Sequence, residues 1–285
     1  MTYPSISTHA ENIGSVLHLG NDIKLYMRDT GSGHPVLLLH GVGCCSDDWT
    51  GPITHFRDRF RAIRPDARGH GRSSSPAGHW QLADFIGDLV QILDRLGIEK
   101  THVAGFSMGG LLAQGLALRH ADRVEKLAII AATSGRTREE QAQVEERLSF
   151  IRSNPPSTYF DQYASKRWFT ADFRRTHPEI IERTRRAISA NDREGYTKAY
   201  EVLVRNDLGA ELHRIGHKTL VLTGENDLGA GPKAARFIAG EIVGSHLVIL
   251  PRLHHHMLLE APELVGGILR EFFSVEDERP LPNSR

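Results

Sequence analysis

Short, dominantly apolar runs separated by amphipathic helical patterns constrain this chain more than any other feature. Pro35 opens such a run at Val36–Leu39. Others occur at Arg61–Arg64, His102–Phe106, Leu127–Ala131, Thr219–Thr223 and His246–Leu250. Runs that do not alternate with polar residues suit parallel strands covered by helices on both faces. Between them, Leu82, Phe85, Ile86, Leu89, Leu93 and Leu96 recur at helical spacing up to Gly97, a residue suited to ending a helix. A small-residue helix is expected over Leu111–Arg119, and Pro262 opens another reaching about Phe273. Strand–helix alternation of this kind predicts an α/β fold with a mostly parallel, doubly wound sheet. Ahead of it, Val16–Leu19 and Lys24–Asp29 flank Gly20-Asn21-Asp22 and read as a β-hairpin.

The alternation stops between residues 133 and about 210, where no strand-like run occurs. Within 133–205 lie twelve Arg and two Lys against eleven acidic residues, a net +3. The expected organisation is therefore a core of 1–132 and 211–275, a helical cap inserted at 133–210, and a flexible polar tail at 276–285. A chain of 285 residues, 40% of them hydrophobic, can bury a sizeable core. Its 35 Lys+Arg balance 35 Asp+Glu, which argues against nucleic acid or an anionic membrane as partner. No apolar run is long enough to span a bilayer, and the first fourteen residues lack the charged start and apolar core of a secretory leader. The two cysteines, Cys44 and Cys45, are adjacent and poorly placed to bridge, so a reducing, cytoplasmic setting is expected. Sixteen histidines are the compositional excess that needs a chemical explanation.

Gly105-Phe106-Ser107-Met108-Gly109 carries the pattern G-x-S-x-G. Alone the pattern is weak, but here a strand precedes it and a small-residue helix follows. That is the setting in which a strained turn projects a serine hydroxyl from the sheet edge. A serine needs a base and an orienting acid, which in such folds follow in the order Ser, Asp/Glu, His on loops after later strands. The Thr219–Thr223 strand runs into Gly224-Glu225-Asn226-Asp227, making Asp227 the preferred acid and Glu225 its competitor. After the last strand come His254-His255-His256, one of which supplies the base. Adjacent side chains diverge on an extended loop and no further ligand follows at helical spacing, so the run is not read as a metal site. Backbone amides of Met108 and of Val42, in His40-Gly41-Val42-Gly43, are the expected oxyanion donors. His40 itself is expected to be a buried structural residue.

Five segments together resemble the α/β-hydrolase superfamily over nearly the whole chain. They are LLLHGVG (37–43), RPDARGHGRS (64–73), GFSMGG (105–110), TGENDLG (223–229) and HHMLLEAPE (255–263). The resemblance implies that the base lies five residues before the Glu of Glu260-Ala261-Pro262-Glu263, which is His255. His254 stands where the family usually has glycine. Within the superfamily the chain is most similar to the 3-oxoadipate enol-lactone hydrolases of aromatic degradation, through Arg167–Asp172, Asp192–Tyr196 and the Asp227-Leu228 turn. The resemblance implies hydrolysis of a small-molecule ester or enol-lactone by Ser107, His255 and Asp227, without cofactor or metal. Trp168 and Phe169 are candidates for the substrate-pocket wall. C–C bond hydrolysis of ring-cleavage products, or a ligand receptor with the same fold, are the alternatives. Oligomeric state is left open.

Overall fold

The computed structural model describes residues 14–20 and 23–275. The expected turn residues Asn21 and Asp22, the first thirteen residues and the tail 276–285 lie outside the described residues. Eight strands form one sheet: β1 (Ser15–His18), β2 (Lys24–Thr30), β3 (His34–Leu39), β4 (Phe60–Pro65), β5 (Thr101–Phe106), β6 (Val124–Ile130), β7 (Lys218–Gly224) and β8 (His246–Leu250). Their order is β1-β2-β4-β3-β5-β6-β7-β8. β1 and β2 are antiparallel to their neighbours, whereas β3 to β8 run parallel. The chain steps outward from β3 to β4 and then returns to the other side of β3 at β5. Such a reversal opens a crevice at the carboxyl ends of the strands.

Alternate side chains of each strand enter different cores. Leu37, Leu39, Ile63, Val103 and Val221 pack in one cluster with Leu82, Phe85, Leu89 and Leu93 of the Leu82–Arg95 helix. Val36, Leu38, Ala62, Ala104 and Leu222 pack on the other face with Val265, Leu269 and Phe273 of the Pro262–Ser274 helix. Burial on both faces explains why these strands lack a polar alternation.

The strands begin one to three residues ahead of several apolar runs. His34-Pro35 starts β3, and Val124-Glu125-Lys126 starts β6. Polar residues at the sheet rim hide these starts. Ala131 falls outside β6 because its φ of +47° breaks the extended backbone. The Met108–Arg119 helix begins a turn earlier than Leu111, since Gly109 and Gly110 are weak helix formers. The Pro232–Glu241 helix left little sequence signal because it buries only Ala235 and Ile238.

Between β6 and β7 the described chain forms helices and no strand, chiefly Arg138–Ser153, Pro178–Ser189 and Arg193–Arg205. Among the described residues no helix is long and apolar enough to cross a membrane. Cys44 and Cys45 are both free.

Candidate active site

Ser107 sits between the end of β5 and the Met108–Arg119 helix with φ 55° and ψ −114°, a conformation that non-glycine residues rarely adopt. Strain of this kind persists only where the surroundings enforce it. Here the Ser107 amide donates to Ile130 O of the neighbouring strand at 2.8 Å. The flanking glycines let the turn close. A Cβ on Gly105 would stand 2.0 Å from Gly109 O, and one on Gly109 would stand 2.3 Å from Leu39 O.

Ser107, Asp227 and His255 are far apart in sequence but meet because each follows the carboxyl end of a strand. His255 Nδ1 lies 2.6 Å from Asp227 Oδ2, and His255 Nε2 lies 3.1 Å from Ser107 Oγ. An ionised carboxylate can only accept, so Nδ1 carries the proton. Nε2 is then free to accept from the Ser107 hydroxyl. Asp227 Oδ1 is fixed separately by the amides of Gly229 and Ala230 at 2.7 and 3.0 Å. Burial alone would raise the Asp227 carboxyl. The charge and hydrogen bond of His255, helped by the two amides, outweigh it and hold the group below the usual carboxylate value. Glu225 is engaged elsewhere: its Oε2 accepts from the Arg252 amide at 2.8 Å.

The loop after β3 is braced by His40, which is 2% exposed. The Ala67 amide donates to its Nε2 at 2.9 Å, so the proton is on Nδ1, which donates to Gly41 O at 2.7 Å. Among the described residues neither the Val42 nor the Met108 amide donates a hydrogen bond within the protein.

His255 and His256 share the aromatic neighbours Phe106 and Trp168, but their polar partners differ. His256 is fully buried, its Nε2 3.5 Å from Asp48 Oδ2 and 3.6 Å from Cys44 Sγ. Its ring stacks on Phe169 at 5.3 Å, and its amide donates to Trp168 O at 2.9 Å. Glu260 accepts from the amide and hydroxyl of Thr170. The loop carrying His255 is thereby tied both to the segment after β3 and to the helical segment.

Ser107 and His255 open onto a cleft of about 790 Å³, mouth included, whose wall includes Val42, Trp168, Tyr159 and Tyr196. Phe169, the second expected wall residue, is absent from that lining. It leaves the short Ser165–Trp168 helix in an extended conformation (φ −126°, ψ 145°), and its fully buried ring packs on Phe173 and His256 instead. The cleft also holds three arginines that sequence reasoning did not single out. Arg136 is consumed by Asp207 and the carbonyls of Leu203, Val204 and Asn206. Arg147 and Arg167 are half-buried and have no carboxylate partner among the described residues. Their sequence signal was the net positive charge of 133–205, joined for Arg167 by its place in the Arg167–Asp172 segment.

A mostly parallel α/β sheet with a strained serine turn at the end of its fifth strand defines a fold class used by many hydrolases. A profile of the alpha/beta hydrolase fold matches residues 34–262, and this chain belongs to that family. It is 34% identical over 221 residues to 3-oxoadipate enol-lactonase 2 of Acinetobacter baylyi, covering 77% of this chain and 82% of that protein. It is 27% identical to (E)-2-((N-methylformamido)methylene)succinate hydrolase of the same organism, over 90% of this chain and 97% of the relative. The crystal structure of the enol-lactonase from Burkholderia xenovorans superposes with a TM-score of 0.85 at 28% identity, covering 92% of this chain and all of that one.

Proposed function

We propose that the protein is a serine hydrolase that cleaves a carboxylate-bearing ester or enol-lactone through an acyl-enzyme. The observation that carries this proposal is the hydrogen-bonded chain from Asp227 through His255 to Ser107, ending at the cleft. In the first step Ser107 Oγ attacks the substrate carbonyl while its proton passes to His255 Nε2. Asp227, held ionised, stabilises the imidazolium and fixes its orientation. The developing oxyanion accepts from the Val42 and Met108 amides, which have no internal acceptor among the described residues. The carbonyl–oxygen bond then breaks, and the leaving oxygen receives the proton from Nε2. In a lactone that oxygen stays tethered to the acyl group. Water, deprotonated by His255, attacks the acyl-enzyme and releases the acid with Ser107 restored.

Two supports favour a carboxylate on the substrate. Arg147 and Arg167 reach the cleft without an acidic partner among the described residues, and a charge-assisted hydrogen bond to either is stronger than a neutral one. The relatives described above are named for 3-oxoadipate enol-lactone and a substituted methylene succinate, both carboxylate-bearing molecules. In the same proposal the helical segment 133–210 acts as the cap over the cleft, contributing Arg147, Arg167 and Trp168 to its wall.

The test is turnover on a panel of enol-lactones, neutral aryl esters and vinylogous diketones. Carboxylate-bearing lactones or esters should give the highest kcat/KM. Turnover of the diketones alone would assign C–C bond hydrolysis instead, and binding without turnover of any of them would mark a receptor.

A further inference from the structure

Three polar side chains meet at the end of the sheet opposite the cleft. His34 opens β3, His102 is the second residue of β5, and Glu125 is the second residue of β6. These strands are consecutive parallel neighbours, so their starts share one rim. His34 Nε2 lies 2.6 Å from Glu125 Oε2, and His102 Nδ1 lies 3.7 Å from the same oxygen. The two imidazole centroids are 4.4 Å apart, and one ligand atom from each of the three residues falls within 4.8 Å of the others.

His102 is the member without an ordinary structural explanation. Its side chain is 4% exposed and its ring stacks on Phe273 at 4.9 Å, yet Nδ1 has no hydrogen-bond partner among the described residues. Glu125 at 3.7 Å is beyond hydrogen-bond reach. A buried polar atom left unpaired costs on the order of 1–3 kcal/mol, so native interiors give such atoms a partner. A neutral imidazole retains one lone pair.

We propose that His34, His102 and Glu125 form a binding site for one zinc-class divalent cation, with solvent completing the coordination shell. Two imidazole nitrogens and a carboxylate oxygen match the donors zinc takes, whereas calcium and magnesium favour oxygens alone. Tetrahedral bonds of about 2.1 Å place ligand atoms roughly 3.4 Å apart. The observed 2.6 and 3.7 Å bracket that spacing. Small rotations of His34 and Glu125, 40% and 35% exposed, would equalise it and leave room for water. The Lys126 ammonium opposes the cation. Its donation to the carbonyls of Phe272, Phe273 and Val275 directs it toward the Pro262–Ser274 helix end, while Glu125 supplies the compensating negative charge. A bound cation would join β3, β5 and β6 at their starts, remote from Ser107.

The experiment is calorimetric titration of the full chain with Zn²⁺, with Ca²⁺ as control, alongside the visible spectrum of the Co²⁺ form and the melting temperature with and without Zn²⁺. One Zn²⁺ per chain should bind, Ca²⁺ should not, and the melting temperature should rise. His34→Ala and Glu125→Gln, both at partly exposed positions, should each weaken binding at least tenfold and abolish the thermal shift. Equal affinity in both variants would overturn the proposal, as would the lack of saturable Zn²⁺ binding.

Discussion

Replacing Asp227 with asparagine keeps the size of the side chain but removes its charge and puts a donor in place of one acceptor oxygen. Asp227 Oδ1 accepts from two amides, at 2.7 and 3.0 Å, while Oδ2 accepts from His255 Nδ1 at 2.6 Å. The asparagine carbonyl must stay on the two amides, because its amino group cannot accept from them. That amino group then faces His255 Nδ1 and donates to it. The imidazole proton moves to Nε2, which at 3.1 Å from Ser107 Oγ no longer has a lone pair for the serine proton. The escape is to flip the amide, restoring the tautomer but leaving two amides unpaired at about 1–3 kcal/mol each. Keeping the productive tautomer therefore costs about 2–6 kcal/mol, to which the lost charge stabilisation of the imidazolium adds. At 1.36 kcal/mol per decade this alone spans about 30-fold to 3 × 10⁴-fold, and with the lost charge raising the lower end the expected fall in kcat is about 10² to 10⁴-fold. Stopped-flow acylation with an activated aryl ester measures it directly, and KM should change little. Glu225→Gln, altering a residue bound to the Arg252 amide, should stay within about threefold of the parent. A loss under tenfold in Asp227→Asn, or an equal loss in Glu225→Gln, would refute the assignment.

Arg147→Gln and Arg167→Gln should raise KM for a carboxylate-bearing ester by about 10 to 100-fold, the worth of a charge-assisted hydrogen bond, and leave a neutral ester within about threefold. Steady-state kinetics on the matched pair decides this, and equal effects on both esters would contradict it. His256→Leu removes the imidazole beside the Asp48 carboxylate, which that imidazole helps hold below the usual value despite burial. Urea unfolding should show a loss of about 3 kcal/mol, largely recovered in His256→Leu/Asp48→Leu, whereas additive losses would argue against the pairing. His70, buried beside His40, has its pKa lowered from 6.5 to about 3. Because the folded value is depressed, stability is complete above pH 6.5 and falls as the pH drops toward 3, since only the unfolded chain takes the proton. At pH 5 the loss is about 2 kcal/mol. His70→Gln should reduce the difference in unfolding free energy between pH 8 and pH 5 by that amount, and an unchanged difference would contradict it.

What could be read from the sequence followed from how each feature is encoded. β5 and β7 are buried through their middles and β8 is apolar at Leu247–Leu250, so local hydrophobicity located them. With the strands located, the loops that follow them pointed to Ser107, Asp227 and the histidine run. The starts of β3 and β6 were obscured by His34 and Glu125, whose polarity reflects the sheet rim. Features set by distant partners were not legible. Nothing near His256 indicates Asp48, some two hundred residues earlier. The choice between Trp168 and Phe169 depends on an extended backbone at residue 169 that composition does not encode. Arg147 appeared only as part of an excess of positive charge, and Arg167 in that excess and as the start of the Arg167–Asp172 segment. Which arginines lacked partners required the positions of Asp207 and Glu201, which bind Arg136 and Arg152.

Covalent capture of Ser107 tests the central claim most directly. After incubation with a fluorophosphonate, intact-mass and peptide mass spectrometry should find one adduct per chain, on Ser107. The adduct should be absent from Ser107→Ala and at least a hundredfold slower to form in His255→Ala, while His254→Ala labels normally. Labelling at another residue, or hydrolysis undiminished in Ser107→Ala, would contradict a serine nucleophile at this turn.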